Sequence, residues 1–228
     1  NFKNIICNQG SGSLSLEIAA RNFLFGKVLV INTGYYSDRI KFILRNIIKE
    51  KSSNIKKIVE INWENLQDIS GNFDWIFCCY TETSMGLKLS MNDIYRISKK
   101  TKSKIILDAT GSIGLEKNHK VADVISFSSC KGLFGLTGAS FVAHKSNLVS
   151  KQLDTFYFNL ETQKQKKVTG PCHAIASLYG VINKHDIFKK RVINSKNAIL
   201  EKYHKIVRKD NQPLLCTYLE GKVIGNDD

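Results

Sequence analysis

Only two prolines, Pro171 and Pro213, occur in 228 residues, so little in the sequence forces a break. No stretch approaches the ~18 consecutive apolar residues of a membrane span, and no basic segment followed by an apolar one opens the chain. Acids are scarce against bases, 20 against 34, for a formal charge of +14. That excess raises a nucleic-acid or membrane surface, but the lysines run from end to end instead of gathering in one block. Ordinary solvated faces account for them, and neither nucleic acid nor a membrane is expected as a partner. The six cysteines include no Cys-x-x-Cys pair and no Cys/His zinc spacing, so neither a metal site nor a disulfide framework is expected. A reducing, cytoplasmic compartment follows as the default. The chain does not open on Met and ends without a clear terminal helix, which reads as a piece of a longer protein.

What is present is alternation. Short runs rich in Ile and Val, at 4–8, 27–32, 56–61, 74–80, 104–109, 121–126 and 139–143, predict seven strands. Between them, 13–25, 37–49 and 90–100 have helical spacing, and Ile40, Ile43, Leu44 and Ile47 form one apolar stripe. Ser90 with Asp93 makes an N-terminal cap for the third helix. The expected fold is α/β, a mostly parallel seven-stranded sheet with helices on both faces. From about 172 to 207 the pattern is helical with a break near Lys184-His185-Asp186, and 212–219 reads as a strand opening another unit. The domain reading is 1–210 for a large domain whose N-terminal segment is missing, and 211–228 for the start of a truncated second one.

Five polar or aromatic settings share an address. Gln9-Gly10-Ser11-Gly12-Ser13-Leu14 joins the first strand to the first helix, where backbone N–H groups at a helix start suit a phosphate. It lacks the Lys-Ser/Thr of a P-loop and the third glycine of a dinucleotide fingerprint; a plain Ser helix cap is the commoner meaning of such a loop. Tyr36 and Thr83 follow the second and fourth strands, Asp108 ends the fifth, and Lys131 follows the sixth among Ser128, Ser129, Gly132, Gly135 and Gly138. In an open α/β sheet these positions lie at one carboxyl edge, where ligands bind. A phosphate cradle, an aromatic, a hydroxyl, a carboxylate and a lysine are the parts of a pyridoxal phosphate site. There a lysine condenses with the cofactor aldehyde and an aspartate keeps the pyridine nitrogen protonated.

Wording and order carry the reading further. The phrases Gln9-Gly10-Ser11-Gly12-Ser13, Thr33-Gly34-Tyr35-Tyr36-Ser37-Asp38-Arg39 and Glu82-Thr83-Ser84-Met85-Gly86 come first. Asp108-Ala109-Thr110-Gly111-Ser112-Ile113-Gly114, Lys131 with Gly135 and Gly138, and Thr169-Gly170-Pro171-Cys172-His173 follow in the same order. In these the chain resembles the class V, fold-type I aminotransferases. The resemblance implies a homodimer with a shared active site, an amino donor and an oxo-acid acceptor. It implies that Lys131 holds pyridoxal phosphate and moves protons, that Asp108 pairs with the ring nitrogen, and that Tyr36 stacks on the ring. Thr83 would bond the phenolic oxygen, Ser11, Gly12, Ser13 and Leu14 would cradle the phosphate, and Thr169 would reach the partner subunit's cofactor phosphate. Cys130 stands before Lys131 where relatives carry Asn, Gln or His, and the phrase after Asp108 is nonstandard. Another activity of the same class, a lyase using the same lysine, a cofactor-free structural relative and a basic nucleic-acid-binding module are the rival readings.

Overall fold

The computed structural model describes residues 2–166, 168–207 and 211–220. In chain order the elements are β1 (Phe2–Gln9), α1 (Gly12–Phe23), β2 (Gly26–Asn32), α2 (Tyr35–Ile47), β3 (Ile55–Asn62), β4 (Trp75–Cys79), β5 (Thr81–Glu82) and β6 (Leu87–Lys88). They continue with α3 (Met91–Thr101), β7 (Lys104–Asp108), β8 (Val124–Ser128), β9 (Ala139–Lys145), α4 (Leu160–Lys166), α5 (Cys172–Ile182) and α6 (His185–Lys202). Seven strands form one sheet in the order β1-β9-β8-β7-β4-β2-β3, and β5 and β6 make a separate hairpin. Within the seven-stranded sheet every pair is parallel except those of β9, which runs antiparallel to both neighbours. The expected mostly parallel seven-stranded sheet is therefore present, and the carboxyl ends of β1, β2, β4, β7 and β8 share one edge.

Both faces are covered, which is why the central strands carry unbroken apolar runs. One face packs Phe77, Ile106 and Val124 against Leu16 and Ile18 of α1 and Ile40 and Leu44 of α2. The other packs Ile76, Ile105 and Ile125 against Met91, Ile94 and Ile97 of α3. Strand alternation sends the neighbours Cys78 and Cys79 to opposite cores. All six cysteines are free. Ile40, Ile43, Leu44 and Ile47 are buried, as their stripe predicts. Ser90 accepts the Asp93 N–H at 3.3 Å, fixing the start of α3. The helical tail breaks between α5 and α6, next to the expected Lys184.

The strand expected at 212–219 does not form; among the described residues only an isolated bridge joins Val207 to Leu219. The segment instead wraps a buried amine. Lys196 Nζ donates to Gln212 Oε1, the Cys216 carbonyl and Thr217 Oγ1 at 2.7, 2.6 and 2.8 Å. These contacts hold the backbone in a coil, and Pro213 has no N–H to offer a ladder. Among the described residues no helix is long and apolar enough to cross a membrane.

The long turn after β7 is pinned from inside. His119 Nε2 lies 2.8 Å from the fully buried Ser112 Oγ, and its ring meets Tyr80 edge-on at 5.2 Å. Burial pushes His119 down to about 4; Lys189 adds to this and Glu116 opposes it. A folded value below the unfolded one, about 6.5, means that stability is present above pH 6.5 and lost as pH falls through 4. Thermal melts of the wild type should therefore drop across this window. In His119→Gln the slope should be shallower; an unchanged slope would show that other groups dominate.

Candidate active site

A cleft of about 220 Å³ opens at the shared strand edge. Ser11, Gly12, Ser13, Tyr36, Asp108 and Lys131 line it, so the structure brings six of the sequence-predicted site residues together. A larger groove of about 580 Å³ lies between Trp63 and α3, but none of its charged side chains is buried. The smaller cleft holds the chemistry.

Each side chain arrives for a local reason. Ser11 is the residue before α1; its hydroxyl makes no cap bond, and no acid lies in the first turn. The positive end of the helix is thus left for an anion. Leu14 does not line the cleft. Its N–H is already given to the Ser11 carbonyl at 3.0 Å. Asp108 ends β7, 4% exposed, with Oδ1 accepting the Thr110 N–H at 2.9 Å. Burial raises the Asp108 carboxyl above its usual range; Thr110 and the charges of Lys131 and Arg39 pull the other way.

Lys131 stands in a left-handed conformation, φ 53°, on the short turn Lys131–Leu133. For a residue with a side chain that costs about 1–3 kcal/mol, strain typical of functional positions. The turn is clamped to the loop after Asp108 at Gly132, where a Cβ would meet the Ile113 carbonyl oxygen at 2.1 Å. Only glycine allows that approach. Lys131 Nζ lies 4.5 Å from the centroid of the Tyr36 ring. Cys130, beside it, pairs with Ser128 through Sγ and Oγ at 3.1 Å.

Tyr36 is set by a buried carboxylate. Glu82 is wholly buried and accepts the N–H groups of Tyr36 and Ser37 at 3.1 and 3.3 Å, the Thr33 hydroxyl at 3.2 Å and the Ser84 hydroxyl at 2.5 Å. A carboxylate at the start of α2 satisfies donors that the helix itself leaves open. Gly34 makes room for it: φ is 138°, and a Cβ there would crowd Glu82 Cγ at 3.1 Å.

Sequence reasoning missed Arg39 and Thr81, which also line the cleft. Arg39 donates to Ser13 Oγ at 2.8 Å and lies 5.0 Å from the Tyr36 ring centroid. Helical spacing could have found it, since it stands one turn after Tyr36. Thr81 stands two residues after Cys79, which also lines the cleft, but it belongs to the separate β5–β6 hairpin. Thr83 does not line the cleft: the hairpin of β5 and β6 turns the chain away after Glu82. Thr169 is exposed and also stands outside the lining.

The fold is that of the fold-type I pyridoxal phosphate-dependent aminotransferases. Pyridoxamine–pyruvate aminotransferase from Mesorhizobium loti superposes with a TM-score of 0.76 at 14% identity, covering 98% of this chain and 66% of that one. A subgroup IV aspartate aminotransferase from Thermus thermophilus gives 0.75 at 18% identity, covering 96% and 69%. Curated relatives narrow the likeness. The 2-aminoethylphosphonate–pyruvate transaminase of Pseudomonas putida (strain W619) is 24% identical over 190 residues, covering 75% of this chain and 52% of the relative. The 2-aminoethylphosphonate–pyruvate transaminase 2 of Paraburkholderia xenovorans (strain LB400) is 27% identical over 193 residues, covering 75% and 51%. The chain spans about half the length of these curated relatives, and no protein-family model matches it.

Glu82→Ala leaves several buried donors without an acceptor, at about 1–3 kcal/mol for each one not reached by water. Urea denaturation should show a loss of about 2 kcal/mol or more. An unchanged midpoint would mean that water replaces the carboxylate.

Proposed function

We propose that this chain is the cofactor-binding part of a pyridoxal phosphate-dependent aminotransferase that moves the amino group of 2-aminoethylphosphonate to pyruvate, giving phosphonoacetaldehyde and alanine. The observation that carries the reading is one cleft holding a buried carboxylate, a lysine amine, an aromatic ring and an open helix start. The residues fit the cofactor. Asp108 would hold the ring nitrogen, Lys131 the aldehyde carbon, and the start of α1, with Ser11, Gly12 and Ser13, the phosphate. Tyr36 would stack on the ring. Arg39 and Lys131 give the cleft two cations against the Asp108 carboxylate, a balance suited to an anionic ligand.

When bound, the cofactor supplies an electron sink for the carbon that bears the amine. Lys131, once released from the aldehyde carbon by the incoming amine, would do the proton work, its free amine taking the proton from the carbon that bears the donor nitrogen and giving it back. Asp108 would keep a proton on the ring nitrogen, and its burial would strengthen that pairing because little water competes. The glycine clamp at Gly132 and the Glu82 cap hold Lys131 and Tyr36 in place. The substrate reading is supported by the names and likeness of the curated relatives.

The wider reading is a homodimer with a shared site, in which Thr169 reaches the partner subunit's phosphate. Leu136, Ile175 and Tyr179, 62, 40 and 78% exposed, offer apolar surface beside the Lys131 loop, where Ser177 Oγ accepts the Leu136 N–H. Residues 1–210 would form the large domain and 211–228 the start of a second. The six free cysteines suit a reducing cytoplasm.

Lys131→Ala should abolish the borohydride-reducible absorption band and transamination while leaving the fold intact by circular dichroism. Normal turnover with 2-aminoethylphosphonate and pyruvate in that variant would sink the assignment. A panel of other amino donors separates this substrate from other activities of the same class.

Asp108→Asn should act oppositely on stability and on rate. A raised folded value means that the free protein loses stability as pH rises through it, starting from about 4, the unfolded value. Without cofactor at pH 8 the variant should melt above the wild type, and the gap should close below pH 4. Its turnover should fall by at least about 100-fold if the ring nitrogen depends on this charge. A cofactor-free variant that melts below the wild type at pH 8 would contradict the burial argument.

A further inference from the structure

One face of the first turns of α6 touches two loops of the cleft. His185, Phe188 and Lys189 stand at i, i+3 and i+4, the spacing that aligns side chains along a helix. His185 Nε2 lies 2.8 Å from the carbonyl oxygen of Gly132, the residue after Lys131. A carbonyl only accepts, so the ring nitrogen carries the proton and donates. The His185 ring meets Phe134 at 5.1 Å between centroids, and Phe188 meets the same ring at 5.6 Å. Lys189 Nζ donates to the Gly114 carbonyl, in the loop after Asp108, at 3.1 Å. Gly114 leaves room for the meeting: a Cβ there would lie 2.6 Å from His185 Nε2 and 2.8 Å from the Gly132 oxygen.

The bond matters for what it fixes. Lys131 and Phe134 both stand in left-handed conformations, φ 53° and 63°. Such residues hold their place only when neighbours determine it. The Lys131 carbonyl accepts the Phe134 N–H at 3.0 Å, and the Gly132 carbonyl accepts from His185. The two peptide planes that follow Lys131 are thereby set, and with them the direction in which its side chain leaves the turn. The same imidazole packs against Gly114, so it also spaces the Lys131 turn from the loop that Asp108 opens. A rigid cofactor ring gripped by Asp108 at one end and Lys131 at the other requires one spacing between them. His185 itself stands outside the cleft lining. We infer that His185 is a positioning residue for Lys131, acting through the Gly132 carbonyl to hold the amine where it reaches the aldehyde carbon. The inference rests on the cofactor reading above.

Glutamine places an amide N–H close to where Nε2 stands, asparagine is one methylene shorter, and leucine has no donor. On mixing the apoprotein with pyridoxal 5′-phosphate, His185→Leu and His185→Asn should form the borohydride-reducible band about tenfold more slowly or worse, the scale of a displaced reacting group. In the holoenzyme kcat should fall by a similar factor while KM for the amino donor stays within about threefold. His185→Gln should bring both rates back to within about threefold of wild type, since the donor returns. His185→Asn keeps a polar group at this half-buried position, so it carries the test if the leucine variant does not fold. An asparagine variant that melts lower yet forms the band and turns over at wild-type rates would reduce the bond to stability alone and overturn the inference. A glutamine variant as slow as the asparagine one overturns it as well. In both cases the wild type still forms the band and the cofactor reading stands. A wild type that forms no such band overturns both.

Discussion

Every group in the cleft owes its place to the shared direction of β1, β2, β4, β7 and β8. A parallel strand has one carboxyl end, and the residues that leave it must begin a loop there. Five strands ending at one edge therefore deliver the start of α1, Tyr36, Thr81, Asp108 and the Lys131 loop to the same few hundred cubic ångströms. The antiparallel β9 serves this arrangement too. It brings the chain back beside β8 and β1, and the Gly10 N–H closes on the Gly138 carbonyl at 2.8 Å.

The two buried carboxylates of this region are treated differently, and the difference separates support from chemistry. Glu82 is saturated by two backbone N–H groups and two hydroxyls, so its charge is spent on the geometry of α2. Asp108 is also buried, but its carboxylate takes its hydrogen bond from the Thr110 N–H, with two cations nearby. A charge that is desolvated and only partly compensated raises the energy of the free protein. It also leaves strong binding capacity for a protonated ring nitrogen. The left-handed Lys131 adds backbone strain in the same place.

The charge excess of the chain looks different once the fold is present. Arg21, Lys41, Arg45, Lys88, Arg96 and Lys145 are each ion-paired with a nearby acid, and these pairs lie at the surface or partly covered. Such pairs contribute little stability singly. The cations that matter to the cleft are two, Arg39 and Lys131.

The sequence alone determined the seven strands, the three early helices and the helical tail, because apolar periodicity is a local property that a buried sheet must obey. It also placed Asp108, Lys131, Tyr36 and the Ser11–Ser13 turn at strand ends, which is enough to converge them once the sheet is parallel. Arg39 was within reach of the same reasoning, one helical turn from Tyr36. Tertiary structure decided the rest. The hairpin of β5 and β6 depends on pairing between Thr81-Glu82 and Leu87-Lys88 and on a carboxylate cap to a distant helix, neither of which leaves a local pattern. It is that hairpin which puts Thr81 in the cleft and Thr83 outside it. The segment 212–219 has the residues of a strand, but among the described residues no strand pairs with it, and three bonds from the Lys196 amine on α6 shape it instead. A periodic pattern states what a segment can bury; only the assembled neighbours state what its polar groups will bond.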